Sequence, residues 1–98
     1  MVTLIVVSVT ENCITVDGHA EYAEPGKDIV CAAVSVLAQN LIESIKDLTG
    51  DSIEYRMVPG HIDINFKNLS EQGKLLVDSF FIGMNSISES YGKYVQIK

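Results

Sequence analysis

Basic side chains are scarce: seven Lys and Arg stand against thirteen Asp and Glu, leaving a net charge of −6 and an isoelectric point near 4.6. A protein built to neutralise phosphates needs the opposite balance, which argues against direct nucleic-acid binding. Cysteine is scarce too. Cys13 and Cys31 form no CxxC pair, so a structural zinc site and a disulfide framework both lack their pattern, and neither a metal nor another cofactor is expected. Long apolar runs are missing near the start of the chain: Leu4-Ile5-Val6-Val7 is too short to span a membrane, and no basic segment precedes it as in a signal peptide. The expectation is a cytoplasmic protein with no membrane partner. Repeats and low-complexity stretches are also absent, which excludes solenoids and linkers.

What is present suits one globular domain. Ninety-eight residues, 47% hydrophobic and 20% charged, carry material for a single core and not for two.

Residues 2–9 are β-branched and apolar, as in a strand buried on much of both faces, and Glu11-Asn12 supplies a turn into a second strand over 13–19. Pro25-Gly26 makes residues 20–27 a loop. A helix over 29–49 follows from the stripe Val30, Val34, Leu37, Leu41, Ile45 and Leu48, with Asp28 as its N-cap and Gly50 as its stop. Residues 52–58 and 61–67 alternate around Pro59-Gly60 and read as a hairpin. Ser70 caps a second helix with the stripe Leu76, Phe80, Met84, Ile87 and Tyr91, ending at Gly92. Gly83 inside it costs about 1 kcal/mol relative to Ala, which suggests close approach to another element. Residues 93–98 form a short closing strand.

The order ββαββαβ implies an α+β fold: a two-layer domain whose mostly antiparallel sheet of about five strands is covered by two helices. A first strand apolar on both sides would make the uncovered sheet face a candidate dimer surface.

Chemistry concentrates between Gly18 and Ser35. With Asp28 as cap, Cys31 is the third residue of the helix, where unpaired amides and the positive end of the dipole favour thiolate over thiol. His19 lies twelve residues earlier, and the intervening loop is long enough to return imidazole to sulfur. Such a Cys/His pair performs acyl transfer, with the helix-terminal amides receiving the oxyanion. Ser35 stands one turn beyond Cys31 on the same face, so either it or Asp28 is placed to orient the pair. A serine there more ordinarily bonds to the carbonyl one turn back, and a lone cysteine in an apolar helix is more ordinarily a packing residue. His61, after Pro59-Gly60, is the other candidate base, although nothing in the sequence pairs it with a cysteine. Spacing alone reaches a thiol hydrolase and no further.

Residues 18–35 read GHAEYAEPGKDIVCAAVS, and this stretch resembles the GHAxYAxxGxDIVCAAVS signature of the ribosomal-processing cysteine proteases. The resemblance extends over essentially the whole chain. It implies Cys31 as nucleophile and His19 as general base, with Asp28 and Ser35 supporting them. It also makes residues 20–27 the counterpart of the family's movable segment beside the site, with Gly18 and Gly26 in hinge positions, Ala20 a loop or substrate-binding residue, and Tyr22 either lining the substrate channel or anchoring the loop. The implied substrate is a basic large-subunit ribosomal protein precursor that loses an N-terminal extension, and the implied assembly is a homodimer. The short Glu11-Asn12 connection departs from the family's usually longer first hairpin. The same fold without the chemistry would serve as a dimeric binding module or ribosome-assembly factor.

Overall fold

The computed structural model describes residues 5–18, 27–58 and 60–98. Strands β1 (Ile5–Val9) and β2 (Cys13–Asp17) lead to helix α1 (Lys27–Leu48). Strands β3 (Ile53–Val58) and β4 (His61–Phe66), helix α2 (Glu71–Ser90) and strand β5 (Val95–Ile97) complete the order ββαββαβ. The five strands form one sheet in the spatial order β3-β4-β2-β1-β5, and only the β1–β5 pair is parallel. The α+β architecture expected from the sequence is therefore present.

Alternation decides which residues meet the helices. Ile5 and Val7 on β1, Ile14 and Val16 on β2, Ile62, Ile64 and Phe66 on β4 and Val95 on β5 are buried on one face. Against them α1 sets Val30, Val34, Ala38, Leu41, Ile42 and Ile45, and α2 sets Phe80 and Met84. Each such aliphatic side chain contributes about 1.5–3 kcal/mol by leaving water. The segment Ile29–Leu48 is long and apolar enough to cross a membrane by length and composition, yet here its inner stripe belongs to this core.

The other sheet face differs from the apolar surface expected there. Val6 and Ser8 are half-buried on β1, but their neighbours in the rows across the sheet are Thr15, Asp17, His61, Asp63 and Arg56, with Val58 the apolar end of the Val6 row. Among the described residues the most exposed aliphatics sit on the helices, Ile29, Val36 and Leu48 on α1 and Leu75 and Ile82 on α2.

Local chemistry sets the element ends. In α2, the Ser70 hydroxyl accepts from the Gly73 amide at 3.1 Å, the N-cap bond expected of it. Gly60, with φ of 81°, supplies the left-handed residue of the two-residue connection between Val58 and His61. Gly83 answers its expectation as well: a Cβ there would lie 2.9 Å from Leu37 Cδ1, so the helices pack where a side chain is missing. Helix α1 ends one residue before the expected position. Thr49 Oγ1 donates to the Ile45 carbonyl at 2.7 Å and accepts from the Asp51 amide at 3.1 Å, so a threonine rather than Gly50 terminates it.

Candidate active site

The start of α1 differs from its expected position, and this changes the surroundings of the thiol. The helix begins at Lys27, which makes Asp28 its second residue rather than its N-cap, and Cys31 its fifth rather than its third. Lys27 is an ordinary helix former, so it joins the helix ahead of Asp28. Among the described residues the amides without intrahelical acceptors are then those of residues 27–29, in the turn before Cys31. Side chains lean toward a helix N-terminus, so the Cys31 thiol still inclines toward that turn.

Cys31 is half-buried and lines a cleft of about 470 Å³. Ser35 lies in the same wall, one turn along α1, and Gly18, Met57, Val58 and Gly60 face them from the ends of β2 and β3 and from the turn. Gly18 has φ of 104°, a conformation that L side chains rarely adopt, and its amide donates to the Gly60 carbonyl at 2.9 Å. The glycine thus turns the chain out of β2 while holding it to the β3–β4 turn, directly before His19.

The Ser35 hydroxyl does not take the ordinary helical bond. Ser86 donates to the carbonyl of Ile82, four residues back, whereas among the described residues Ser35 has no hydrogen-bond partner. It borders the cleft with Cys31. His19, Ala20, Tyr22 and Gly26 lie outside the described residues, as does the side chain of Asp28.

His61 borders the cleft too, but its ring belongs to the opposite face of the sheet. On β4, Ile62, Ile64 and Phe66 turn toward the helices, and His61 and Asp63 turn away. Its Nδ1 pairs with the Asp17 carboxylate and its Nε2 with Asp63 Oδ2 at 3.0 Å. Those two hydrogen bonds, to Asp17 first and Asp63 second, raise its pKa above the ordinary value. With both ring nitrogens held by carboxylates behind the sheet, His61 is not placed to act as a base on Cys31.

The sheet also separates the two cysteines. Cys13 belongs to the face of β2 turned away from the helices, while Cys31 packs on the core side, and both thiols are free. A disulfide between them would require the layers to come apart. Among the described residues no group of three or more His, Cys, Asp or Glu is placed to hold a metal ion. Sequence reasoning missed the contribution of Met57 and Val58 to the cleft, because the hairpin's own pattern carries no sign that its turn lies beside the start of α1.

Similarity to known proteins accords with this geometry. The ribosomal processing cysteine protease Prp of Staphylococcus aureus is 28% identical over 87 residues, covering 86% of this chain and 82% of that protein. Its counterpart in Mycoplasma genitalium is 27% identical over 97 residues, covering 96% and 94%. A crystal structure of the S. aureus protease in complex with a substrate peptide superposes with a TM-score of 0.85 at 21% identity, covering 98% of this chain and 97% of that one. A Streptococcus mutans protein of solved structure gives 0.84 at 26% identity, covering 99% and 92%. The family model described as cysteine protease Prp matches residues 1–96, and the chain belongs to that cysteine protease family.

Proposed function

We propose that this protein is a cysteine endopeptidase that removes the N-terminal extension of a basic large-subunit ribosomal protein precursor. The observation that carries the reading is the gathering of Cys31, Ser35 and Gly18 around one cleft at the start of α1, inside the segment whose sequence bears the family signature.

In this mechanism Cys31 sulfur attacks the scissile carbonyl while His19 accepts the thiol proton. The amides of the first turn of α1 receive the developing oxyanion. His19 then returns its proton to the departing amine as the C–N bond breaks, leaving a thioester. Water, deprotonated by His19, attacks that thioester and regenerates the thiol. Ser35 and Asp28 orient the pair, and Gly18, Ala20, Tyr22 and Gly26 belong to the segment that closes on substrate.

Incubation with a synthetic peptide spanning the extension junction tests the assignment. Wild type should cleave it, and Cys31→Ala and His19→Ala should each lower the rate roughly a thousandfold or more. An intact peptide with wild type, or unchanged cleavage by Cys31→Ala, would overturn the protease reading. Binding without cleavage would mark a catalytically silent binding module.

The reading places the enzyme in the cytoplasm, where ribosomal proteins are made, as a homodimer. Ile29 and Val36, seven residues apart on one side of α1, and Leu75 and Ile82, equally spaced on α2, are 63–69% exposed and offer apolar surface for a second copy. Sedimentation equilibrium of wild type against Val36→Lys with Ile82→Lys tests this, and a wild-type monomer would end it.

A further inference from the structure

Strand β3 forms one edge of the sheet, and no strand among the described residues pairs with its far side. The orientation of its backbone follows from two hydrogen bonds elsewhere. The Gly18 amide donates to the Gly60 carbonyl at 2.9 Å, and the Phe66 amide donates to the Asn12 carbonyl at 3.0 Å. Along β4, therefore, even-numbered residues turn their backbone groups toward β2. Odd-numbered ones, His61, Asp63 and Asn65, turn theirs toward their β3 partners Val58, Arg56 and Glu54. By the same alternation the amides and carbonyls of Ile53, Tyr55 and Met57 point to the free edge.

Those three residues also share the side of β3 that faces the helices, since they stand opposite the buried Phe66, Ile64 and Ile62. Met57 lines the cleft with Cys31. Tyr55, two residues further from the turn, accepts a hydrogen bond from Lys46 Nζ at 3.3 Å. One ladder of backbone groups without a strand partner among the described residues thus leads away from the cleft at Met57. Edge strands are ordinarily blunted by brevity, proline or charge. The opposite edge, β5, has three residues, whereas β3 has six, contains no proline, and leaves Tyr55, Met57 and Val58 38–44% exposed.

We propose that the substrate peptide binds as a sixth strand along the free edge of β3, its backbone paired with Met57 and Tyr55 and its scissile bond delivered at the Val58 end beside Cys31. This inference rests on the protease reading. A segment presented for cleavage is extended, and its own amides and carbonyls need partners, which the free edge of β3 supplies in the correct period. Backbone pairing makes recognition independent of most side chains, while Met57 and Tyr55 contact alternate residues of the peptide. The net charge of −6 suits a basic segment.

The test uses full-length Cys31→Ala protein, which holds the junction peptide without cleaving it. Hydrogen exchange at the Tyr55 and Met57 amides should slow on saturation with peptide. The Arg56 amide, already paired with β4, should not change. Met57→Pro removes the edge amide along with the side chain, a substitution that edge strands tolerate, and should weaken peptide binding about tenfold relative to Met57→Leu, which keeps the amide. A peptide series N-methylated one position at a time keeps the test independent of that variant's folding: binding should fall at every second residue. Exchange at Tyr55 and Met57 unaffected by peptide, or an N-methyl series without alternation, would overturn the edge inference even if wild type cleaves. Protection at those amides in a protein whose wild type leaves the peptide whole would instead overturn the protease reading alone.

Discussion

His61 at the start of β4 and Asp17 at the end of β2 stand opposite each other in the sheet, and the Nδ1 of His61 pairs with the Asp17 carboxylate on the face away from Cys31. Asp63 takes the other ring nitrogen at 3.0 Å. Only the protonated ring can donate to both carboxylates at once, which is why the folded protein raises the His61 pKa above its unfolded value of about 6.5. The stabilisation is complete below pH 6.5 and is lost as pH rises through the elevated folded value. Thermal unfolding followed from pH 5 to 9, a span of about four units around the histidine range, should show this decline in wild type and a flatter profile in His61→Gln. Added salt should shrink the difference, because the cluster is partly exposed. Identical profiles for the two proteins would remove the cluster from any account of stability.

The acidic balance bears on encounter with substrate. A chain of charge −6 attracts a basic peptide over a distance set by the Debye length, about 10 Å at 0.1 M salt and 3 Å at 1 M. With a basic peptide, kcat/KM should fall as salt rises, and with a neutral analogue it should stay flat. Equal salt dependence for both peptides would assign the charge to solubility.

Asp51 braces the start of α2. Its carboxylate accepts from the Ser70 hydroxyl at 2.8 Å and from the Ser70 amide at 3.1 Å, and Ser70 in turn caps Gly73. Ser70→Ala should cost about 1 kcal/mol in urea unfolding. In Gly73→Ala the new Cβ would collide with Asp51 Oδ2 and push it from the serine. Loss of a hydrogen bond to a charged group, about 1.5–3 kcal/mol, outweighs the gain in helix propensity of about 1 kcal/mol, so this variant should also be less stable.

Gly83 gives a graded result. The methyl of Gly83→Ala would meet only the Cδ1 and Cδ2 ends of Leu37, beside a small cavity of about 40 Å³ between the helices. Leu37 has room to turn, so propensity and crowding should cancel to within about 0.5 kcal/mol. Gly83→Leu has no such room and should lose about 1–3 kcal/mol by parting α1 from α2. Chemical unfolding of both variants checks the pair.

Much of the scaffold was legible along the chain because its signals are local. The stripes of α1 and α2, the alternation on both sides of Pro59-Gly60 and the cap at Ser70 act within a few residues of themselves. The segment 18–35 bears the family signature in the sequence itself, although its spacing alone reaches a thiol hydrolase and no further. The start of α1 was less legible. Asp28 is the better cap by residue type, yet the helix takes in Lys27 before it, because a helix continues until something interrupts its ladder.

The sequence by itself determined which elements form, in what order, and which segment bears the family signature, because periodicity, turn chemistry and a contiguous motif are properties of neighbours. Only the tertiary structure decided what lies beside what. It put β2 between β4 and β1, Cys13 and Cys31 on opposite sides of the sheet, the ring of His61 behind the cleft, and Met57 at an open edge on the cleft that Cys31 also lines. These are contacts between residues tens of positions apart, selected by the burial of one shared core, and no local pattern encodes them.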